Sequence, residues 1–561
     1  MKKAKKILAL LLVCVIGIAA VACGGGDNGN SSSPSGSVSP SESASQSGSA
    51  SASASASSSP STNPAGTVNT AAPEESTPPP VSARDTLSVA LGSDPGTLNA
   101  VFISGDFNNI MNCIHEPLWD LDENGNVIWQ LATSVDIVSD SQWLVHLREG
   151  VTFSNGNPLT ASDVVWTIRY FIESGAMWGL PRTQTLDIYA CAVVDDYTVD
   201  LRMKGFQIAN WSVLSDLVIY DEESFDPDKA SENPIGTGPY VLSEYVVNSY
   251  VLLTARDDYW GGTPSLKSIR FRILAEPSQR VNALETGLVD IATISVDDYD
   301  CVDSLPGLKI ISRYPPSWHI ILYNHNEASV LSNVEARYAI CAAIDRQAIV
   351  NLVYQGRAQV MKYPMSTVVF DHEERFENMH STYAIGYNVE YAKELADKTG
   401  LTGKELVIRT NGDPQYVTMA EIVQNMLLDI GVTTVIHNYD GAGFEAEGRD
   451  TTAWDIAFQG NICPNKRIVD PLINGVRYVE SRQVGWEGVD RFMELGAIVF
   501  TIKDDKERSD TTWEMLELYQ NACIDFALCD VQTHMAFSSD LTNITYRTTS
   551  GLRYKDLYFT S

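Results

Sequence analysis

Residues Asn233 to Ala292 constrain the fold more than any other stretch of the 561-residue chain. They begin NPIGTGPYVLSEYV, run through DDYWGGTPSLKSIRFRIL and end in ALETGLVDIA. Gly236 and Gly238 tolerate backbone angles that residues with a Cβ avoid, and Pro239 cannot donate to a ladder, so the run reads as a tight turn feeding a strand. Alternation at Tyr240, Leu242, Tyr245 and Val247 carries that strand, and Val251 to Arg256 and Ile269 to Leu274 read as two more. A helix with Arg280, Leu284 and Glu285 on successive turns follows and stops at Gly287. No nucleophile, paired acid or phosphate cradle stands in this stretch.

In order and spacing, GTGPY before a strand, DYWGG, a further strand and ALETGLVDIA resemble the centre of the bacterial extracellular solute-binding proteins of family 5. These are the peptide- and nickel-type receptors of ABC importers. The segment WLVHLREGVTFSNGNPLTASDVVWTIRYF, and the turn Ser93 to Asn99 after the strand Thr86 to Leu91, are similar to further family segments. The resemblance implies an α/β, two-lobed periplasmic-binding-protein-like fold with an extra subdomain inserted in the first lobe. Its first lobe spans residues 85–316 with the subdomain at 116–204, its second lobe 317–534, and residues 535–561 return to the first lobe.

The first 84 residues are of another kind. Lys2, Lys3, Lys5 and Lys6 precede an apolar run from Ile7 to Val21, so residues 1–22 read as a signal peptide, too short for a membrane span. Ala20-Val21-Ala22-Cys23-Gly24 resembles a bacterial lipobox, which implies lipidation of Cys23 and attachment to the membrane through that lipid; the alternative is cleavage by the ordinary signal peptidase. Residues 23–84 are Ser, Ala, Gly and Pro with repeated Ser-Ala steps, a disordered tether spanning about 40 to 50 Å root-mean-square. The expected location is the extracellular face of the cell membrane, or the periplasm where an outer membrane exists.

With 39 Lys and Arg against 71 Asp and Glu the net charge is −32, which argues against nucleic acid as a partner. Beyond Cys14 and Cys23 seven cysteines remain, an odd number without CxxC spacing, and most read as small buried hydrophobes. Eight histidines are scattered with no HExxH or i, i+4 pair, so no dedicated metal site and no cofactor is expected. No GxSxG, P-loop or GxGxxG is present, and an enzyme is not expected.

Local signals continue along the chain. Glu123 to Asn126 mark a hairpin turn, and Ser162 stands where an N-cap belongs, before a helical face of Val164, Val165, Ile168, Phe171 and Ile172. Trp318 to Asn324 reads as a strand after the crossing at Pro315-Pro316, and Asp345 caps the helix AIVNLVYQG. Gln415 to Ile430 is amphipathic, stops at Gly431 and leads to the strand Thr433 to His437. The acidic run Asp371-His372-Glu373-Glu374 reads as a solvated loop.

Ligand sites favour domain interfaces and mix apolar walls with a few oriented polar groups. By the resemblance, the first lobe contributes Ser104, Asp106 and Phe107 from the run Ile103 to Phe107. The second contributes Trp318 and His319, Asn411 and Asp413, Tyr439 and Phe444, Asn461, Arg467 and Asp470, with Asp530 from the last hinge strand. In oligopeptide receptors of this family an acidic residue after the strand ending near Asn461 holds the peptide's α-ammonium. Here that position falls on Asp470, Asn465 or Arg467, depending on a gap of a few residues. A buried Arg467 or Lys466 would repel an ammonium at a cost of several kcal/mol, which opens anionic or carbohydrate ligands as alternatives. The expected function is a monomeric substrate-binding lipoprotein that captures a di- or oligopeptide and delivers it to the transmembrane subunits of an ABC permease. An oligosaccharide receptor of the same fold, and a surface adhesion or scaffold lipoprotein, are the alternatives.

Overall fold

A computed structural model describes residues 80–99, 107–122, 124–174, 185–215, 217–379, 386–463, 466–473, 486–546 and 551–561, with the backbone of Thr67–Val68. Within them the polypeptide builds two large sheets with separate cores. The first is seven-stranded, in the order Leu308–Arg313, Thr533–Ser538, Ile291–Ile294, Thr86–Leu91, Ser268–Ile273, Tyr250–Ala255, Tyr240–Val246. The second is six-stranded, in the order Ala358–Val360, Asp525–Val531, Ser317–Tyr323, Ile456–Ile462, Glu405–Thr410, Thr433–Asn438.

A five-stranded antiparallel sheet sits beside the first, its principal strands Ala132–Ser139, Gln142–Leu147 and Thr198–Arg202. Its apolar face, with Val135, Val145 and Leu201, is continuous with that of the seven-stranded sheet through Val251, Ile269 and Phe271. Thr67–Val68 pairs with Asp136 and Val135 at its edge, so two residues of the segment read as a tether take part in a ladder.

The turn that organises the sequence works by close approach. Neither Gly236 nor Gly238 has a positive φ. A Cβ on Gly236 would lie 2.1 Å from the carbonyl oxygen of Ile114, and one on Gly238 would lie 2.6 Å from that of Cys113. The expectation of unusual backbone angles is therefore corrected: two backbones touch here, and only hydrogen fits between them. Arg256, 5 % exposed, secures the junction by donating to the carbonyls of Thr152, Phe153 and Gly236 at 3.1, 3.2 and 3.3 Å.

Local signals translate with one further correction. The strands Trp119–Leu121 and Val127–Trp129 pair antiparallel, as the hairpin signal between them requires. The helix Ala161–Glu173 is capped one turn from its N-terminus by Asp163, whose carboxylate accepts from the Thr160 N–H at 2.8 Å and hydroxyl at 2.9 Å. Ser162, read as the cap, instead bonds Glu222 at 2.5 Å, because a reciprocal Thr/Asp pair satisfies more end groups than one serine. Asp345 caps Arg346–Tyr354 as expected, accepting from Ala348 N–H at 3.0 Å.

The chain passes between the two large sheets twice within the described residues. Leu308–Arg313 belongs to the first sheet and Ser317–Tyr323 to the second, with Pro315 and Pro316 between; Asp525–Val531 belongs to the second and Thr533–Ser538 to the first, with Gln532 alone between. Other contacts across the lobes include Gln355 Nε2 to Asp297 at 2.9 Å, Arg357 to Asp300 at 2.6 Å, and Gly125 against the ring of Phe370.

Candidate functional site

Strand direction gathers the candidate residues at one end of the six-stranded sheet. Glu405–Thr410, Thr433–Asn438 and Ile456–Ile462 run parallel; Ser317–Tyr323 runs against Ile456–Ile462 and against Asp525–Val531. The C-terminal ends of four strands and the start of the fifth therefore share the edge where both chain crossings enter. Ligands of open α/β sheets bind outside the carboxyl ends of strands, for the reason that loops there are free to vary on a fixed frame.

Trp318, Asn461 and Asp530 are brought together. Trp318 lies directly opposite Asn461 on one neighbouring strand and Asp530 on the other, and directly opposite residues share a face. Trp318 is 1 % exposed and Asp530 2 % exposed. Ser366 donates to Asp530 Oδ2 at 2.6 Å, while Asp530 Oδ1 and the Trp318 indole N–H have no partner among the described residues. Burial pushes the Asp530 carboxyl up to about 7, with the Ser366 hydroxyl pulling the other way. A small cavity of about 10 Å³ opens beside it, walled by Gln359, Tyr363, Thr367 and the Lys362–Glu377 ion pair, room for one water-sized group.

His319, one residue on, points to the opposite face. Its Nδ1 lies 2.9 Å from the Tyr416 hydroxyl, its ring stacks on Tyr354, and burial lowers its pKa to about 4. The Tyr416 hydroxyl thus partners its Nδ1 on that face. Asn411 and Asp413 are exposed at the same sheet edge, where Asn411 Oδ1 accepts from Asp413 N–H at 3.1 Å and Asp413 caps the helix Pro414–Leu428 through Gln415 N–H at 2.8 Å. Tyr439 is half-buried beside His437, and Phe444, 7 % exposed, lies 4.1 Å from the buried guanidinium of Arg409.

Arg467 has its guanidinium 5.3 Å from the centre of the Phe370 ring, and its Nε has no partner among the described residues. Burial lowers its pKa, opposed chiefly by the charge of Asp371. Asp470 follows in the next turn, half-buried. Phe107 opens the helix Phe107–Ile114, while Ser104, Asp106 and Asn465 lie outside the described residues, as does Cys23.

Residues 361–379 contribute partners that no pattern announced: Ser366 to Asp530, Tyr363 to His372 at 2.8 Å, and Phe370 against Arg467. The reading of Asp371 to Glu374 as a solvated run is corrected for Asp371 and His372, while Glu374 is exposed. Asp371 accepts from Ile468 N–H at 3.0 Å and its pKa is raised by burial, His372 meets Tyr363 and Glu377, and Glu373 pairs with Arg375 at 2.7 Å. A lone Ser and an acidic run carry no spacing by which these contacts could have been found.

Two α/β lobes joined by paired crossings, with polar atoms left over where the crossings enter, give the chain a two-lobed, periplasmic-binding-protein-like fold. The chain belongs to the bacterial extracellular solute-binding proteins of family 5, whose middle-region model matches residues 126–465. Among its relatives are the oligopeptide-binding protein AppA of Bacillus subtilis, 25 % identical over 375 residues (62 % of this chain, 67 % of that protein), and the nickel-binding periplasmic protein of Escherichia coli, 25 % identical over 406 residues (66 % and 74 %). Among solved structures, the ABC transporter substrate-binding protein CtaP of Listeria monocytogenes superposes with a TM-score of 0.75 at 22 % identity, covering 85 % of this chain and all of that one. AppA of Bacillus subtilis in complex with a nonapeptide gives 0.70 at 20 %, covering 86 % of this chain and all of AppA.

Proposed function

We propose that this chain is the lipid-anchored, monomeric receptor of an ABC importer and that its cargo is a peptide held in the cleft between the lobes. The observation that carries the reading is the pair of unmatched buried atoms on facing residues, the Trp318 N–H and Asp530 Oδ1. A buried donor and a buried acceptor each cost about 1–3 kcal/mol if left unmade, so the site favours a guest offering both complements. A peptide has them at every residue, a carbonyl for the indole and an N–H or ammonium for the carboxylate. The oligopeptide-binding protein AppA of Bacillus subtilis, solved with a nonapeptide, supports the same choice.

Capture needs no bond to be made or broken. Contacts to both lobes exist only when the lobes close, so the ligand shifts the hinge equilibrium by its differential affinity for that state. A dissociation constant of about 1 μM corresponds to roughly −8 kcal/mol, within reach of a few desolvated polar contacts and aromatic walls. The permease then meets the closed form.

Arg467 supports a second reading. Its unpartnered Nε suits a carboxylate or another anion. Native mass spectrometry of the protein purified without denaturation, with a thermal-shift screen on the same sample, decides between them. Co-purifying peptides that also raise the melting temperature are the expected result. Stabilisation by anions or oligosaccharides alone would overturn the peptide assignment.

A further inference from the structure

Two of the seven cysteines outside the N-terminal 84 residues meet inside the second lobe. Cys341 lies in the helix Val334–Ala343 and Cys523 just past the helix Asp505–Asn521; they are 3 % and 1 % exposed, and their sulfurs are 3.6 Å apart although 182 residues separate them. Cys113, Cys191 and Cys463 instead direct their thiols at backbone carbonyls of Asn109, Asp187 and Arg467.

Surrounding groups hold the pair in place. Arg337, one helical turn before Cys341, donates through Nε to the Cys523 carbonyl at 3.1 Å and through Nη2 to the Ala522 carbonyl at 2.6 Å, so one guanidinium ties the helix bearing one sulfur to the turn bearing the other. Cys523 itself has φ 45°, a left-handed conformation unusual for a residue with a Cβ, which swings the chain from the helix into the strand Asp525–Val531. The Tyr323 hydroxyl, 3.2 Å from the Cys341 sulfur, closes the remaining side. Bond formation needs the sulfurs to approach to about 2.05 Å, a movement of side-chain torsions.

We propose that Cys341 and Cys523 are joined by a disulfide in the exported protein. The oxidant is a low-molecular-weight or protein disulfide outside the cytoplasm, where such bonds persist. One thiolate attacks it, forming a mixed disulfide and releasing one thiol; the second cysteine then attacks the protein sulfur of that mixed disulfide and releases the other thiol. Two protein thiols are oxidised, and one external disulfide is reduced to two thiols. Because both sulfurs are buried in the native fold, the exchange takes place while the chain folds, before the two helices pack. The five other cysteines stay as thiols, which accounts for the odd count.

The test is alkylation of the exported full-length protein with iodoacetamide under denaturing conditions without reductant, followed by peptide mapping. The expected result is a cross-linked pair of peptides bearing Cys341 and Cys523, two hydrogens lighter than their sum, which separates on reduction, with the five others alkylated throughout. The Cys341→Ala/Cys523→Ala double variant should melt several degrees below the unreduced protein and match the reduced one, since a cross-link over so long a loop restricts the unfolded chain. The single variant Cys341→Ser should leave Cys523 open to alkylation once denatured. Complete alkylation of both residues in protein refolded with a thiol/disulfide couple would overturn the proposal, as would a bond from either one to another cysteine.

Discussion

The two ends of the strand Asp525–Val531 carry acids of the same chemistry in different settings. Asp525 accepts from the Tyr519 hydroxyl at 2.7 Å and Asp530 from the Ser366 hydroxyl at 2.6 Å; each has its Oδ1 without a partner among the described residues, and burial pushes each up to about 7. Asp525 is opposite Leu322, beneath the helix Asp505–Asn521. Asp530 is opposite the unmatched Trp318 N–H, beside a cavity, and three residues before the chain enters the other sheet at Thr533. An unmatched acceptor is therefore not a site by itself. In the proposed function it becomes one where a complementary donor faces it and the chain crossings bring a second lobe near.

That contrast can be broken most directly by neutralising each acid in turn. Asp530→Asn should weaken peptide binding by about 30-fold or more, the cost of losing the charge of a buried pair, while Asp525→Asn should leave the dissociation constant within about twofold. Isothermal titration with one peptide checks both, and equal losses would erase the distinction. Trp318→Phe keeps the buried ring and removes only the N–H, so affinity should fall by about 2- to 13-fold, read from the same titration with circular dichroism unchanged.

Urea unfolding of the ligand-free protein sharpens the comparison further. Both folded-state carboxyls sit above their unfolded value of about 3.9, so their contribution is fully present below that pH and lost as pH rises through about 7. His115, His319 and His325, lowered by burial to about 3, 4 and 3, act in the opposite sense, adding stability above about 6.5 that is lost as pH falls through those values. The Asp525→Asn/Asp530→Asn double variant should therefore gain more stability than the parent between pH 4.5 and 7.5. The smallest effect is expected at Asp413. Asn also caps helices, so Asp413→Asn should leave the melting temperature within a degree or two and change affinity less than twofold; a larger loss would make its carboxylate a ligand contact.

Period and turn chemistry carried much of the architecture. Met419, Val423 and Leu427 are buried on the helix Pro414–Leu428, as their spacing requires, and Trp318 opens a strand where the sequence places one. Trp318, Asn461 and Asp530 were named from sequence, yet their adjacency was not visible there, because strand order is set by packing between distant segments. The Ser366–Asp530 bond joins residues 164 apart, and the Cys341–Cys523 contact residues 182 apart. Such contacts have no local period. The contact made by Asp371 was hidden for the same reason, since its partner Ile468 is 97 residues away.

The second chain crossing consists of the single residue Gln532, and the first contains two prolines, whose φ angles are fixed. Few torsions are thus free to absorb relative rotation of the lobes, and Trp318 and Asp530 each stand two residues from a crossing. Near a pivot, displacement is small for any swing of the rim. A guest seated there would keep its first contacts through the whole stroke, and the distant wall would arrive last, like the free edge of a door. Affinity at the pivot would then set how long a guest waits, and the reach of the guest toward the rim would set whether the door shuts.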